Sequence, residues 1–362
     1  MNRILIGLVA LVLAISAARS EQDLVHPPIE PVLERMLVNY IRPGYADFNA
    51  AALDLESSLA ELCDTPSGED LEAARSGFRT IVDRWSRMEW LRIGPVMADN
   101  RLERILFFPD RKGTGRKQVQ AAIASGNESV TRVETLSSQS VAMQGLGALE
   151  FILFGSGSDQ LAAPGASHRC GFSRAAAGNL VNLSRDLVEG WQDGSELTAA
   201  FLAPAAANPL FRTDAEALNL LLGQMIHGLE AIRDTRINAF LDREDANRDR
   251  PKSALLWRSG MTMPSIRANL EGLEAMFNES GIEIVAKQSA PRLADAIRFE
   301  FDQAVRTASS LDAPVAELLG DPLTREKLGY LDYAIRIIID RLDQEFAQAG
   351  GLAVGFSFGD GD

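Results

Sequence analysis

Histidine is nearly missing from this chain. His26, His168 and His227 are the only 3 among 362 residues, and no His-Glu-x-x-His occurs. An open catalytic zinc site takes three protein ligands, so a zinc peptidase of the usual type is hard to build here. A carboxylate-rich site would favour a hard cation, iron or calcium ahead of zinc. Aromatic residues are few as well, at 7%, and β-branched alternation is hard to find, which argues against a sheet. After the first twenty residues there is no uninterrupted apolar run of about eighteen, so the mature chain has no helical membrane span. Positive charge is short: 36 Lys and Arg stand against 50 Asp and Glu, a net charge of −14. That balance repels nucleic-acid phosphates and anionic lipid heads, and it excludes nucleic acid as a partner. No phosphate loop, nucleophile elbow or dinucleotide fingerprint appears. Gly113-Thr114-Gly115-Arg116-Lys117 is too short for a phosphate loop and reads as a connection between two helices.

The N-terminus has the layout of a secretory signal peptide over residues 1–20: Arg3, an apolar run from Ile4 to Ile15, then Ser16, Ala17 and Ala18. Cleavage is expected between about Ala17 and Glu21, with no cysteine there for a lipid anchor. Removing it takes away Arg3 and Arg19 and no acid, moving the charge from −14 to −16. The expected location is periplasmic or otherwise exported. The two cysteines, Cys63 and Cys170, then either pair, as an even count in an oxidising compartment favours, or remain two buried thiols.

Helical periodicity is common. Leu71, Ala74, Phe78, Ile81, Val82, Trp85 and Met88 fall at steps of three and four. Leu218, Leu221, Leu222, Met225, Ile226 and Leu229 do the same, as do Leu328, Leu331, Ala334, Ile335, Ile338 and Leu342. A further helix is expected over Ser265 to Phe277. The spacing predicts an all-α protein, a helical domain over 24–349 made of two bundle halves, about 24–155 and 168–349. A Gly-, Ser- and Pro-rich connection separates them, and a Gly- and Asp-rich tail occupies 350–362. Gly147-Ala148-Leu149-Glu150 and His227-Gly228-Leu229-Glu230 are a short echo between the halves.

The segment from Gln144 to Gly155 is apolar on every side yet carries Glu150 in its middle. An ionised carboxylate in a core helix costs several kcal/mol unless it is paired, hydrogen-bonded or bound to a metal. Glu150 therefore has a dedicated partner or a raised pKa. Three readings follow: a structural carboxylate met by Arg101, Arg104 or a helix N-terminus; a metal or ligand contact in a cleft; or a catalytic base.

This segment resembles the signature region of the imelysin-like proteins, the insulin-cleaving metallopeptidase family of bacterial envelopes. Cys63 with Pro66, Trp85, Gly94-Pro95, the stretch from Arg104 to Asp110, Arg169-Cys170 and the ending Val354 to Asp362 resemble other family segments in the same order. The resemblance implies an all-α fold of two pseudo-repeated bundles, an envelope location and, in several members, a link to iron. It also implies a Gly-x-His-x-x-Glu signature. Gly145 and Glu150 match its glycine and glutamate, but Gly147 stands at the histidine position. The implied function is a non-catalytic protein that binds a small ligand or metal, with a role in iron acquisition. The alternatives are a metal-dependent peptidase using Glu150, or a scaffold docking onto an envelope protein partner such as a membrane transporter. His227 and Glu230 form a separate His-x-x-Glu pair that could meet Glu150 across a pseudo-twofold axis. Glu89 is a lower-ranked candidate, either in a cleft with Glu150 or paired with Arg92 or Arg87.

Overall fold

The computed structural model describes residues 29–352. The signal-peptide reading, His26 and most of the Gly- and Asp-rich tail lie outside the described residues. Among the described residues every regular element is helical. A helical start at Glu30–Arg35 passes through a π-helical turn, Met36–Ile41, into α1, Arg42–Asp64. The other long helices are α2 (Gly68–Met88), α3 (Thr114–Ser125), α4 (Leu146–Phe154), α5 (Ser167–Gly190), α6 (Asp214–Ala231), α7 (Thr262–Ser280), α8 (Leu293–Ser309) and α9 (Pro322–Asp340).

Their ends follow capping chemistry. Ser67 accepts from Asp70 N at 3.1 Å to open α2, and Asp321 accepts from Thr324 N at 3.2 Å to open α9. Each satisfies a backbone donor that the helix leaves unpaired. The predicted stripes on α2, on α6, and on α9 with the turn after it are buried at every named position. α1 packs against α2 and α5, α7 against α2 and α8, and α9 against α6 and α8. The π-helical turn before α1 also leans on α7. Cys63 and Cys170 are joined in a disulfide, tying the end of α1 to the first turn of α5 across 107 residues of sequence.

α4 sits where these helices meet, touching α2, α3 and α5. It is buried all round except at the exposed Gly147 and the half-buried Phe154. Its C-terminal carbonyls are held by two guanidiniums: Arg169 donates to Ile152 O at 2.9 Å, and Arg75 to Leu153 O at 2.9 Å. Such contacts take up acceptors that the last helical turn cannot pair.

Candidate functional site

Glu150 is 5% exposed, as its place in an apolar helix requires. Its partner is a loop, not either arginine expected from the sequence. Glu150 Oε1 accepts from Arg258 N at 2.9 Å, Ser259 N at 3.1 Å and Ser259 Oγ at 3.1 Å. The other oxygen, Oε2, lies 3.8 Å from Arg258 Nη1. Arg104 instead donates to Gln144 Oε1 and Asn179 Oδ1, and Arg101 pairs with Asp186. Burial pushes the Glu150 carboxyl above the usual carboxylate range; the Ser259 backbone N–H, the Arg258 charge and the Ser259 hydroxyl pull the other way without cancelling it.

The loop that meets Glu150 is itself tightly specified. Leu256 adopts φ +56, a left-handed conformation that costs a bulky L-residue about 1–2 kcal/mol. It is held there by burial of its side chain and by Met261 N donating to Leu256 O. Thr262 Oγ1 adds a bond to Leu255 O at 2.6 Å. Strain of this kind persists only where the surroundings over-determine the backbone, and it gathers at functional sites. The loop presents Trp257 and Arg258, with the Arg258 guanidinium 4.4 Å from the Trp257 ring and 5.6 Å from the Phe151 ring.

Beside Glu150 opens a cavity of about 760 Å³. Its walls come from the Phe107–Lys117 stretch, from α4 through Gly147, Glu150 and Phe151, from residues 234–239 after α6, and from 250–258. Gly145 and Gly147 differ in what surrounds them. At Gly145 an added Cβ would lie 2.2 Å from Ile105 O and 2.3 Å from Arg104 O, so the passing backbone admits glycine alone. At Gly147 an added Cβ meets nothing within 4 Å, because that position faces the cavity.

The other candidates sit elsewhere. His227 Nδ1 donates to Glu230 Oε2 at 3.1 Å on α6, and neither residue lines the cavity. Glu89 pairs with Arg236 at 2.8 Å and accepts from Asn269 Nδ2 at 2.6 Å. Neither Arg87 nor a shared cleft with Glu150 is involved: Arg87 is engaged by Asp83 and Glu271. The Glu89–Arg236 pair does stand behind the cavity wall, since the Arg236 guanidinium lies 4.6 Å from the ring of Phe108.

A model of the imelysin (peptidase M75) family matches residues 41–342. The chain belongs to the imelysin family. It is 22% identical over 315 residues to iron-regulated protein A of Synechococcus elongatus, covering 84% of this chain and 82% of that one. Its fold is similar to that of an imelysin-like protein from Psychrobacter arcticum, with TM-score 0.75 at 19% identity over 91% of this chain and 98% of that one. A putative iron-regulated protein A precursor from Parabacteroides distasonis gives TM-score 0.67 at 15% identity, covering 88% and 96%.

Against the family signature, the donor set around Gly147 does not suit a resident metal ion. The imidazole position is a glycine, and one oxygen of the lone glutamate is already saturated. Among the described residues no three His, Cys, Asp or Glu side chains converge as a metal cage would need. Glu150 instead anchors the Trp257–Arg258 loop at the cavity.

The raised Glu150 pKa has a testable consequence. A carboxyl whose folded pKa exceeds its unfolded value stabilises the fold most below the ordinary value near about 4.3, and that contribution is lost as pH rises through the folded pKa. Glu150→Gln keeps the shape and an acceptor oxygen without the charge. It is expected to melt above wild type at about pH 8 and to converge with it below about pH 4. A variant melting below wild type at about pH 8 yet converging with it below about pH 4 would show that the ionised carboxylate gains more from the loop than burial costs it.

Proposed function

We propose that this imelysin-family protein is an exported envelope protein that binds a ligand in the cavity beside Glu150, without catalysing a reaction on it, in the service of iron acquisition. The observation that carries the reading is the open face at Gly147: a signature position facing an unfilled volume, next to a carboxylate buried to hold a strained loop. The volume of about 760 Å³ falls within the range of small-molecule pockets, about 300–1,000 Å³. The N-terminal layout and the Cys63–Cys170 disulfide support export into an oxidising compartment. The iron connection rests on the names of the Synechococcus and Parabacteroides proteins. A non-catalytic role is supported by the missing imidazole and by Glu150 spending an oxygen on backbone donors, which leaves it poorly placed as a general base.

The test is native mass spectrometry of protein taken from the envelope of iron-starved cells, with a peptide-cleavage assay alongside. Wild type is expected to retain a small molecule that Gly147→Trp, whose ring would project into the cavity beside Glu150, does not, and neither protein is expected to cleave peptide. Cleavage abolished by Glu150→Gln would make the protein a peptidase instead. Equal retention by wild type and Gly147→Trp would move the ligand out of this cavity.

A further inference from the structure

The cavity opposes the charge of the rest of the chain. Its lining carries 7 basic and 3 acidic side chains, although the whole protein has a net charge of −14. All three acids are spoken for. Asp110 caps α3, accepting from Thr114 N at 2.6 Å and Gly115 N at 3.0 Å. Asp234 receives both Nε and Nη2 of Arg233. Glu150 is held by the Arg258–Ser259 backbone. Six of the basic side chains, Arg111, Lys112, Arg116, Lys117, Arg250 and Lys252, make no ion pair among the described residues, Lys252 lying 5.8 Å from the Trp257 ring.

Arg258, the seventh, is the most enclosed, half-buried where the other six are exposed. Two aromatic rings hold its guanidinium, and its nearest carboxylate oxygen is 3.8 Å away. Burial lowers its pKa, Glu150 raises it, and the positive charge of Arg116 lowers it again. Two guanidiniums thus feel each other across the cavity with no free carboxylate between them. A concave, partly desolvated site of one sign focuses its field on counter-ions. Planar guanidiniums suit carboxylate and phosphate in particular, because their paired N–H groups match two oxygens.

Resting on the reading that a ligand occupies this cavity, we propose that the ligand is a small, multiply charged oxyanion, its carboxylate or phosphate groups received by Arg258 and by the exposed Arg116, Arg250 and Lys252 around it. The cavity would then select by charge and by size.

Calorimetric titration of the full mature chain with four probes tests this: citrate, pyrophosphate, uncharged trehalose and cationic spermidine. Citrate or pyrophosphate is expected to bind, more weakly by several-fold when salt rises from about 50 to about 300 mM. Arg116→Glu and Lys252→Glu should each weaken binding about tenfold or more, while Lys327→Glu, an exposed reversal on α9 outside the cavity, changes it less than about twofold. Gly147→Trp should abolish it. Tighter citrate binding assigns a polycarboxylate and tighter pyrophosphate binding a phosphorylated ligand; either supports the proposal. Trehalose or spermidine binding that Gly147→Trp removes would overturn the anion proposal while leaving the ligand-binding reading intact. Anion binding that survives Gly147→Trp, or that responds equally to Lys327→Glu, would overturn it as well. If no probe binds, the anion proposal falls, and retention of a small molecule by wild type but not by Gly147→Trp in the mass-spectrometric test decides the ligand-binding reading separately.

Discussion

Replacing Arg236 with methionine is expected to remove about 3–5 kcal/mol of folding stability. Arg236 is 6% exposed and its partner Glu89 4% exposed, with Nη2 and Oε2 2.8 Å apart. Asn269 completes the cluster, bonding Glu89 Oε1 and Ser86 O at 2.6 Å each. Arg236 comes from the π-helical turn Ile232–Ile237 that follows α6, Glu89 from the C-cap of α2 and Asn269 from the middle of α7, so the cluster fastens three elements at one point. Taking away the cation alone leaves a carboxylate in the core with a single amide donor, and that desolvation is not recovered elsewhere. Arg236→Met together with Glu89→Met should recover most of the loss, because an apolar pair of similar volume needs no charge compensation. By contrast Arg42→Ala should cost within about 1 kcal/mol of its ion-pair energy, since its partner Asp193 is 92% exposed. Urea midpoints of the four proteins check the ordering. An Arg236→Met midpoint no lower than that of Arg42→Ala would mean that Glu89 finds another partner or takes a proton in the folded chain.

Opening the disulfide should be the other large effect. Cys63 and Cys170 close a loop of 107 residues, and a loop of about 100 residues corresponds to about 4.7 kcal/mol in the chain-entropy account. Substituting both cysteines with serine is expected to cost up to that amount, and reductant should destabilise wild type but not the double variant. Chemical denaturation with and without dithiothreitol measures both. A loss below about 1 kcal/mol would show that packing of α1 on α5 already restricts the open chain as much as the bridge does.

The candidate site was legible in the sequence at one residue and illegible around it. Glu150 stood out because a charge in an apolar helix contradicts its surroundings, and that contradiction is local. Its partners did not stand out, since Arg258 and Ser259 lie 108 and 109 residues further on. The only nearby signal was Trp257-Arg258-Ser259-Gly260, an aromatic and a cation ahead of a turn glycine that adopts φ +72. Gly113 to Lys117 reads in isolation as a link between helices. In the structure it opens α3 under the cap of Asp110 and brings Arg116 to the cavity. Nor could the basic lining be anticipated: seven cations scattered from 111 to 258 vanish in a chain with 14 more acids than bases. Glu89 shows the same limit, with its nearest arginines in sequence bypassed for one 147 residues away.

By itself the sequence determined that the chain is helical, which faces of α2, α6 and α9 go inward, and that one carboxylate must be buried. Each of these depends on spacing within a few turns, which periodicity records directly. The tertiary structure decided which loop receives that carboxylate, which arginine neutralises Glu89, and that α5, although it follows the long connection, returns to α1. It also decided that the cations of two segments far apart in the chain face one volume. Those outcomes turn on contacts between residues far apart in the chain, whose distances are set only when the helices pack.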